Sequence, residues 1–206
     1  DSFSGGLRFR EARDSPGPQI IEVHNGMDGL SKDNRVRYDS PEFCGWSIGA
    51  SHITQNSGDV GVNFNGEISS TKIQASAVLL RKAGEFSQSS GSAAFLFENG
   101  ISISFAGGHQ FNLKTPDRNP FMYHSKLGYS FNMSCFGDSH IAVDYGAGHH
   151  FIKKNDHAHA MGLFFVQDIE KAASEIYVGF RSHKLERPGV HFRSIQATML
   201  GVRMRF

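Results

Sequence analysis

Long apolar runs are missing from this chain. The longest, Ala160 to Val166, falls far short of the roughly 20 residues that a helix needs to cross a bilayer, so any membrane crossing must be made by β-strands. Cysteine is nearly absent as well. Cys44 and Cys135 lie some ninety residues apart with no third or fourth partner at metal-ligand spacing, which argues against both a zinc site and a disulfide framework and leaves two free thiols. No basic block of the kind that tracks a phosphate backbone is present, and Lys+Arg 21 against Asp+Glu 20 leaves a formal net charge of +1, so nucleic acid is not an expected partner. The chain opens at Asp1 without Met or a secretory apolar region, which fits a processed protein or a piece of a longer one.

Glycine and phenylalanine are abundant, with Gly 23 and Phe 18 beside 6 Pro and 1 Trp, a mix that suits two-faced strands better than helices. From Arg35 onward the period is two. Trp46, Ile48 and Ala50 alternate with Ser47, Gly49 and Ser51; Leu127, Tyr129, Phe131 and Met133 alternate with Lys126, Ser130 and Asn132; Ile176, Val178 and Phe180 alternate with Glu175 and Arg181. A soluble β-sandwich has the same alternation, because its strands also present one core face and one wet face. Connection lengths favour a membrane barrel, whose short periplasmic turns take turns with longer outer loops. Short turns are expected at Ser40 to Gly45, near Ser70, at Asn99-Gly100, at Cys135 to Ser139 and at Glu170 to Ser174. Between them fall connections at Gln55 to Asp59, Arg81 to Gly91, Lys114 to Pro120, His149 to His159 and Lys184 to Gly189. The count is about eleven strands between Arg35 and Phe206, an odd number where bacterial barrels are usually even. Either a strand lies hidden in residues 1–33, at Gly5 to Arg10 or Gln19 to His24, or further strands belong to a longer natural protein, which is the favoured expectation.

Two segments carry a family resemblance. Asn25-Gly26-Met27-Asp28-Gly29-Leu30-Ser31-Lys32-Asp33-Asn34-Arg35-Val36-Arg37-Tyr38-Asp39-Ser40-Pro41-Glu42-Phe43 resembles the stretch of Gram-negative general porins in which the constriction loop runs into the sixth strand. Thr198, Leu200, Val202, Met204 and Phe206 resemble the terminal strand of outer-membrane barrels, with apolar residues at every second position up to a final aromatic. The resemblance implies an all-β, transmembrane antiparallel β-barrel: a constriction-loop-like segment over 1–33, then strands over 34–206, with 11–12 strands visible out of a sixteen-stranded porin. It further implies a homotrimeric, passive, water-filled channel for small hydrophilic solutes, surrounded by outer-membrane lipid, with no cofactor and no catalytic residue.

In such channels selectivity comes from charges that project into the lumen. Strand parity nominates Arg35, Arg37, Asp39, Lys72, Lys126, Asp144, Glu175, Arg181, Arg203 and Arg205 as pore-lining residues, and the constriction-like segment contributes Glu22, Asp28 and Asp33. Each of these is as readily an ordinary charge on a solvated wall. Parity is still informative, since Arg or Lys facing lipid at the bilayer midplane costs about 2–4 kcal/mol. The run His149 to His159 holds four histidines, whose imidazoles at i and i+2 of an extended segment can converge on a metal, but such loops are mostly just solvated and no metal site is expected. Tyr129, Tyr145, Trp46, Phe121, Phe131 and Phe206 are candidates for interfacial aromatic girdles. Three other functions remain open: a complete twelve-stranded channel with Gly5 to Arg10 as its first strand, a soluble β-sandwich binding module, and a lipid-modifying outer-membrane hydrolase. The last draws on Tyr123-His124-Ser125 and Asp138-Ser139-His140, although adjacent strand residues point to opposite faces and so cannot act as nucleophile and base together.

Overall fold

The computed structural model describes residues 6–11, 15–27, 30, 34–54, 56–134 and 136–204. Alternation of side chains over long runs forms one antiparallel meander. After two short strands, β1 (Arg8–Arg10) and β2 (Pro16–Gln19), and a single helical turn, α1 (Ile20–Val23), come β3 (Arg35–Asp39), β4 (Trp46–Ile53), β5 (Ser57–Ile68), β6 (Thr71–Lys82), β7 (Phe86–Leu96) and β8 (Ile101–Asn112). The chain goes on through β9 (Phe121–Ser134), β10 (Gly137–His149), β11 (His157–Ile169), β12 (Ser174–Arg187), β13 (Val190–His191) and β14 (Ile195–Met204). Strands β3 to β12 pair one after another in sequence order, and β13 and β14 both pair with β12, as one edge strand broken between them. The sheet is therefore eleven strands wide, as the sequence count requires. Among the described residues its two edges, β3 and β13–β14, do not meet.

The two faces are chemically opposite. In-register partners share a face, so Phe95, Ile103, Leu127, Val143, Leu163 and Phe180 form one continuous row across six strands. Leu127, Val143, Leu163 and Phe180 are each 43–51% exposed. An apolar surface of this extent is far beyond what a protein leaves in water, and a bilayer is the solvent that suits it. One residue along, the row reads Ser104, Lys126, Asp144, Gly162, Arg181 and Ala197 on the opposite, inner face. The soluble-sandwich alternative fails here, because the described residues provide no second sheet over the apolar face: the small β1–β2 sheet packs on the polar one.

Several loops are shorter than the sequence suggests. Polar runs such as Ser87-Gln88-Ser89-Ser90 lie within β7, and only residues 83–85 connect it to β6. Likewise β10 and β11 extend to His149 and His157, β5 begins at Ser57, and β12 runs through Lys184 to Arg187. Beyond the bilayer a barrel wall has water on both sides, so strands continue there without apolar alternation and read as loops. Tight turns fall where expected: Ser69 and Ser70 both take the left-handed conformation (φ 47° and 65°), as does Gly100 (φ 84°), whose closeness to the Ser130 carbonyl leaves no room for a side chain. Cys44 is a free, exposed thiol in the 40–45 turn, and Cys135 lies outside the described residues.

The twelve-stranded alternative is also corrected. Arg8–Arg10 is three residues long and pairs with β2 in a separate two-stranded sheet, and Gln19 to His24 is largely the turn of α1. Neither is a wall strand.

Candidate functional site: a polar wall crossed by an inner strap

Residues 6–11 and 15–27 form a strap across the inner face. It starts at the broken edge strand, where Arg193 N–H donates to the Arg10 carbonyl at 2.9 Å and Glu11 bridges to Phe192. Phe9, Ile20 and Val23, each at most 2% exposed, then pack on Ala158 of β11 and Leu185 of β12, with Phe192 and Ile195 alongside. This is the principal apolar core of the described chain, and it holds the strap to the wall. Full burial of these side chains stabilises the contact by roughly 1.5–3 kcal/mol apiece.

The wall is thinned where the strap passes. A Cβ at Gly148 would stand 2.6 Å from the Val23 carbonyl, and one at Gly146 would stand 2.7 Å from the His24 ring. Farther along, the Gln88 amide donates to the Met27 carbonyl at 2.8 Å, which carries the strap over to β7. Glu22, one of the expected constriction acids, is exposed but its carboxylate accepts the Gln19 N–H at 2.6 Å and so caps α1. Asp28 and Asp33 lie outside the described residues, as does Arg205 on the terminal strand.

Beneath the strap lies a chain of titratable groups. Asp144 on β10 accepts from Arg181 of β12, and His124 Nε2 stands 3.2 Å from the same carboxylate oxygen. Gly162 of β11 lies between them, and a Cβ there would meet Asp144 Oδ1 at 2.6 Å, so its missing side chain is what lets the ion pair reach across a strand. The Arg181 guanidinium also sits 5.5 Å from the centre of the Phe164 ring. His183, 2% exposed, borders this group. On the strap itself, burial together with the positive charge of Arg181 pushes the His24 pKa down to about 4, so this imidazole is neutral at physiological pH.

The remaining candidates keep the inner parity. Arg37 shares its row with Ser51, Asp59, Leu80 and Gln88, the last of which binds the strap. Arg37 and Asp39 pair along β3 at 2.8 Å with side chains 49% and 59% exposed, and Arg35 lies two residues before on the same face. Lys72 stands opposite Glu67, and Arg203 of β14 pairs with Glu175 of β12 at 2.8 Å. Lys126 is exposed between Ser104 and Asp144. The structure thus brings Lys126, Asp144 and Arg181 into one row, and leaves Arg35, Arg37 and Asp39 at the far edge of the sheet.

Sequence reading missed His24, His124 and His183 as members of the inner cluster. His124 and His183 carry the inner parity, which was available; His24 depends on the strap folding back, for which no local pattern exists. The hydrolase candidates do not assemble. His124 turns inward to Asp144 whereas Ser125 faces out, and Ser139, fully buried, donates to Gln167 at 2.6 Å and not to His140. His140 Nδ1 instead meets Ser130 Oγ at 2.8 Å, with Asp168 at 3.5 Å from its Nε2. These three sit on neighbouring wall strands whose backbone groups pair in the cross-strand ladder, an arrangement that presents no pre-formed oxyanion pocket among the described residues.

On the outer face aromatic side chains gather at both ends of the strands. Trp46 packs on Phe64 (4.8 Å between centroids) and Tyr129 stacks on Phe131 (5.5 Å) toward the short-turn end, while Phe121, Tyr123 and Tyr145 lie toward the other; Phe206 is not among the described residues.

No family model matches the chain, and no curated protein matches it by sequence. Solved structures do. The anion-selective porin from Comamonas acidovorans superposes with a TM-score of 0.55 at 15% identity, over 93% of this chain and 66% of that one. A loop-deletion mutant of OmpT, an outer membrane protein of Vibrio cholerae, superposes with a TM-score of 0.52 at 9% identity, over 81% of this chain and 62% of that one. The chain therefore has the fold of an outer-membrane β-barrel and spans just under two thirds of the length of these two structures.

Proposed function

We propose that the protein is an outer-membrane porin, a water-filled channel for passive diffusion of small hydrophilic solutes and ions, without catalytic activity or cofactor. The observation that supports this reading is the strap, a segment packed across the polar face of a lipid-facing wall, which in a closed barrel would stand inside the lumen and narrow it. The two open edges support a larger barrel. Unpaired backbone groups in lipid cost several kcal/mol each, so β3 and β14 call for further strands, sixteen in all in the family that the 25–43 segment resembles. A homotrimer follows from the same resemblance.

In this reading Glu22 on the strap sets negative charge against wall cations such as Arg35, Lys72 and Lys126, and Asp28 and Asp33, outside the described residues, stay constriction candidates by sequence alone. Asp144, Glu175 and Arg181 are engaged in wall ion pairs, and they set the field mainly through those pairs. A solute passing between strap and wall then meets a transverse field that sorts it by charge and dipole. Liposome swelling with the native protein tests this. Sugars and amino acids of small size should enter at rates that fall with solute size. Proteoliposomes as impermeable to sugars as protein-free vesicles would refute the pore, and release of fatty acid from the lipid would point to an enzyme.

A further inference from the structure

The β10–β11 hairpin sets four histidines at the long-loop end of the outer face, away from the polar wall and its strap. His149 and His157 close the hairpin as in-register partners. Their Nδ1 atoms stand 2.6 Å apart with the rings nearly perpendicular, at 80°. Two imidazole lone pairs at that distance repel unless something positive lies between them, either a proton carried by one ring or a metal ion. The next position in the same row, on β12, is Glu186, followed by His191 on β13.

The pair is held in place from several sides. Phe121 stacks on His149 at 4.2 Å between centroids with 10° between planes, and the rings of His150 and His159 lie about 6 Å from the pair. The loop beyond is fastened by Arg187, which donates twice to Asp156 at 2.7 Å, and by the Asn155 N–H on His150 Nδ1 at 3.0 Å. All four histidines are partly exposed, so an ion from the medium can reach them. No set of three His, Cys, Asp or Glu is close enough to share an ion among the described residues, so any site has two protein ligands.

We infer that His149 and His157 form a two-imidazole site for a borderline divalent transition metal, copper(II) above the others, open to water and bordered by Glu186. Metal–imidazole bonds of about 2.0–2.1 Å at a right angle put two ligand nitrogens about 2.9 Å apart, so the pair needs to open by only a few tenths of an ångström. Tetragonal geometry with water in the remaining positions is what copper(II) accepts, and it also leads the divalent affinity order. On binding, the proton between the rings moves to Nε2 of its own imidazole. Both rings then carry their proton on Nε2, and the neutral pair gives up none.

The test uses native protein in detergent, equilibrium dialysis against Cu2+, and electron paramagnetic resonance of the bound ion. The expected result is one tight equivalent whose spectrum shows two nitrogen ligands, lost by about tenfold or more in affinity in H149A and H157A alike, with the double variant no worse than either. Because these rings face outward at the rim, both variants should keep native conductance, which separates loss of a ligand from loss of folding. H150A should bind as the native protein does. Affinity unchanged in both single variants, or no Cu2+ bound beyond that of the double variant, would overturn the assignment and leave only a shared proton between the rings.

Discussion

Two ion pairs on the same inner face differ in almost everything but their chemistry. Asp144 and Arg181, under the strap, have side chains 5% and 8% exposed; Arg37 and Asp39, at the bare edge, are 49% and 59% exposed. A pair taken out of water holds structure, because removing one partner strands the other charge in a low dielectric. A pair left in water holds almost nothing, but its field is felt by whatever passes. The covered half of the wall thus lies against the strap, and in the proposed channel the bare half is the part left to act on solutes.

The sharpest way to break this comparison is in the covered half. D144N removes the buried carboxylate that Arg181 and His124 share and should cost up to about 3–5 kcal/mol, read as a lower temperature of loss of strand signal by circular dichroism in detergent. F9A removes the centre of the strap's core, at about 3–5 kcal/mol. Its effect should fall on the strap and not on the wall: single-channel conductance rises and protease cuts appear within residues 6–27, while the strand signal is kept.

A bulky side chain at Gly148 works from the other side of the same contact. Cβ atoms do not approach backbone oxygen at 2.6 Å, so G148V must displace Val23 and should reproduce the open channel of F9A to a smaller degree. Protonation of His24 does so reversibly. Its bound pKa of about 4 lies below the free value of 6.5, so a released strap binds the extra proton. Strap attachment is complete above pH 6.5, weakens by at most about tenfold per pH unit as pH falls toward 4, and levels off below. Conductance recorded between pH 7 and pH 4 should rise in native protein and rise less over that window in H24Q. The smallest effect belongs to the bare half. R37E should leave stability unchanged within about 0.5 kcal/mol and shift the reversal potential toward cations, a shift that shrinks at high salt as the field is screened.

The wall was almost wholly legible in the sequence, because period-two alternation is a one-dimensional trace of a sheet between lipid and water, and Lys126, Asp144 and Arg181 announce their face by parity alone. The strap was not. Phe9, Ile20 and Val23 are scattered in a segment without periodicity, and their burial depends on Ala158 and Leu185 more than a hundred residues later. The histidine run is visible in the sequence but its pairing is not: His149 and His157 look like two ends of a loop until the hairpin register sets them side by side. Polarity marked loops well only where the chain truly turns, as at residues 113–120, and misled wherever strands stand in water on both faces, as at Ser87 to Ser90.

The most direct test of the central claim is single-channel recording of the native protein, extracted from outer membranes, in a planar bilayer, with F9A beside it. A strap-narrowed pore predicts large, stepwise, ohmic conductance in the native protein and a larger step in F9A. Absence of steps from native protein that retains its strand signal would contradict the pore, and equal steps in the two proteins would contradict the strap as its constriction.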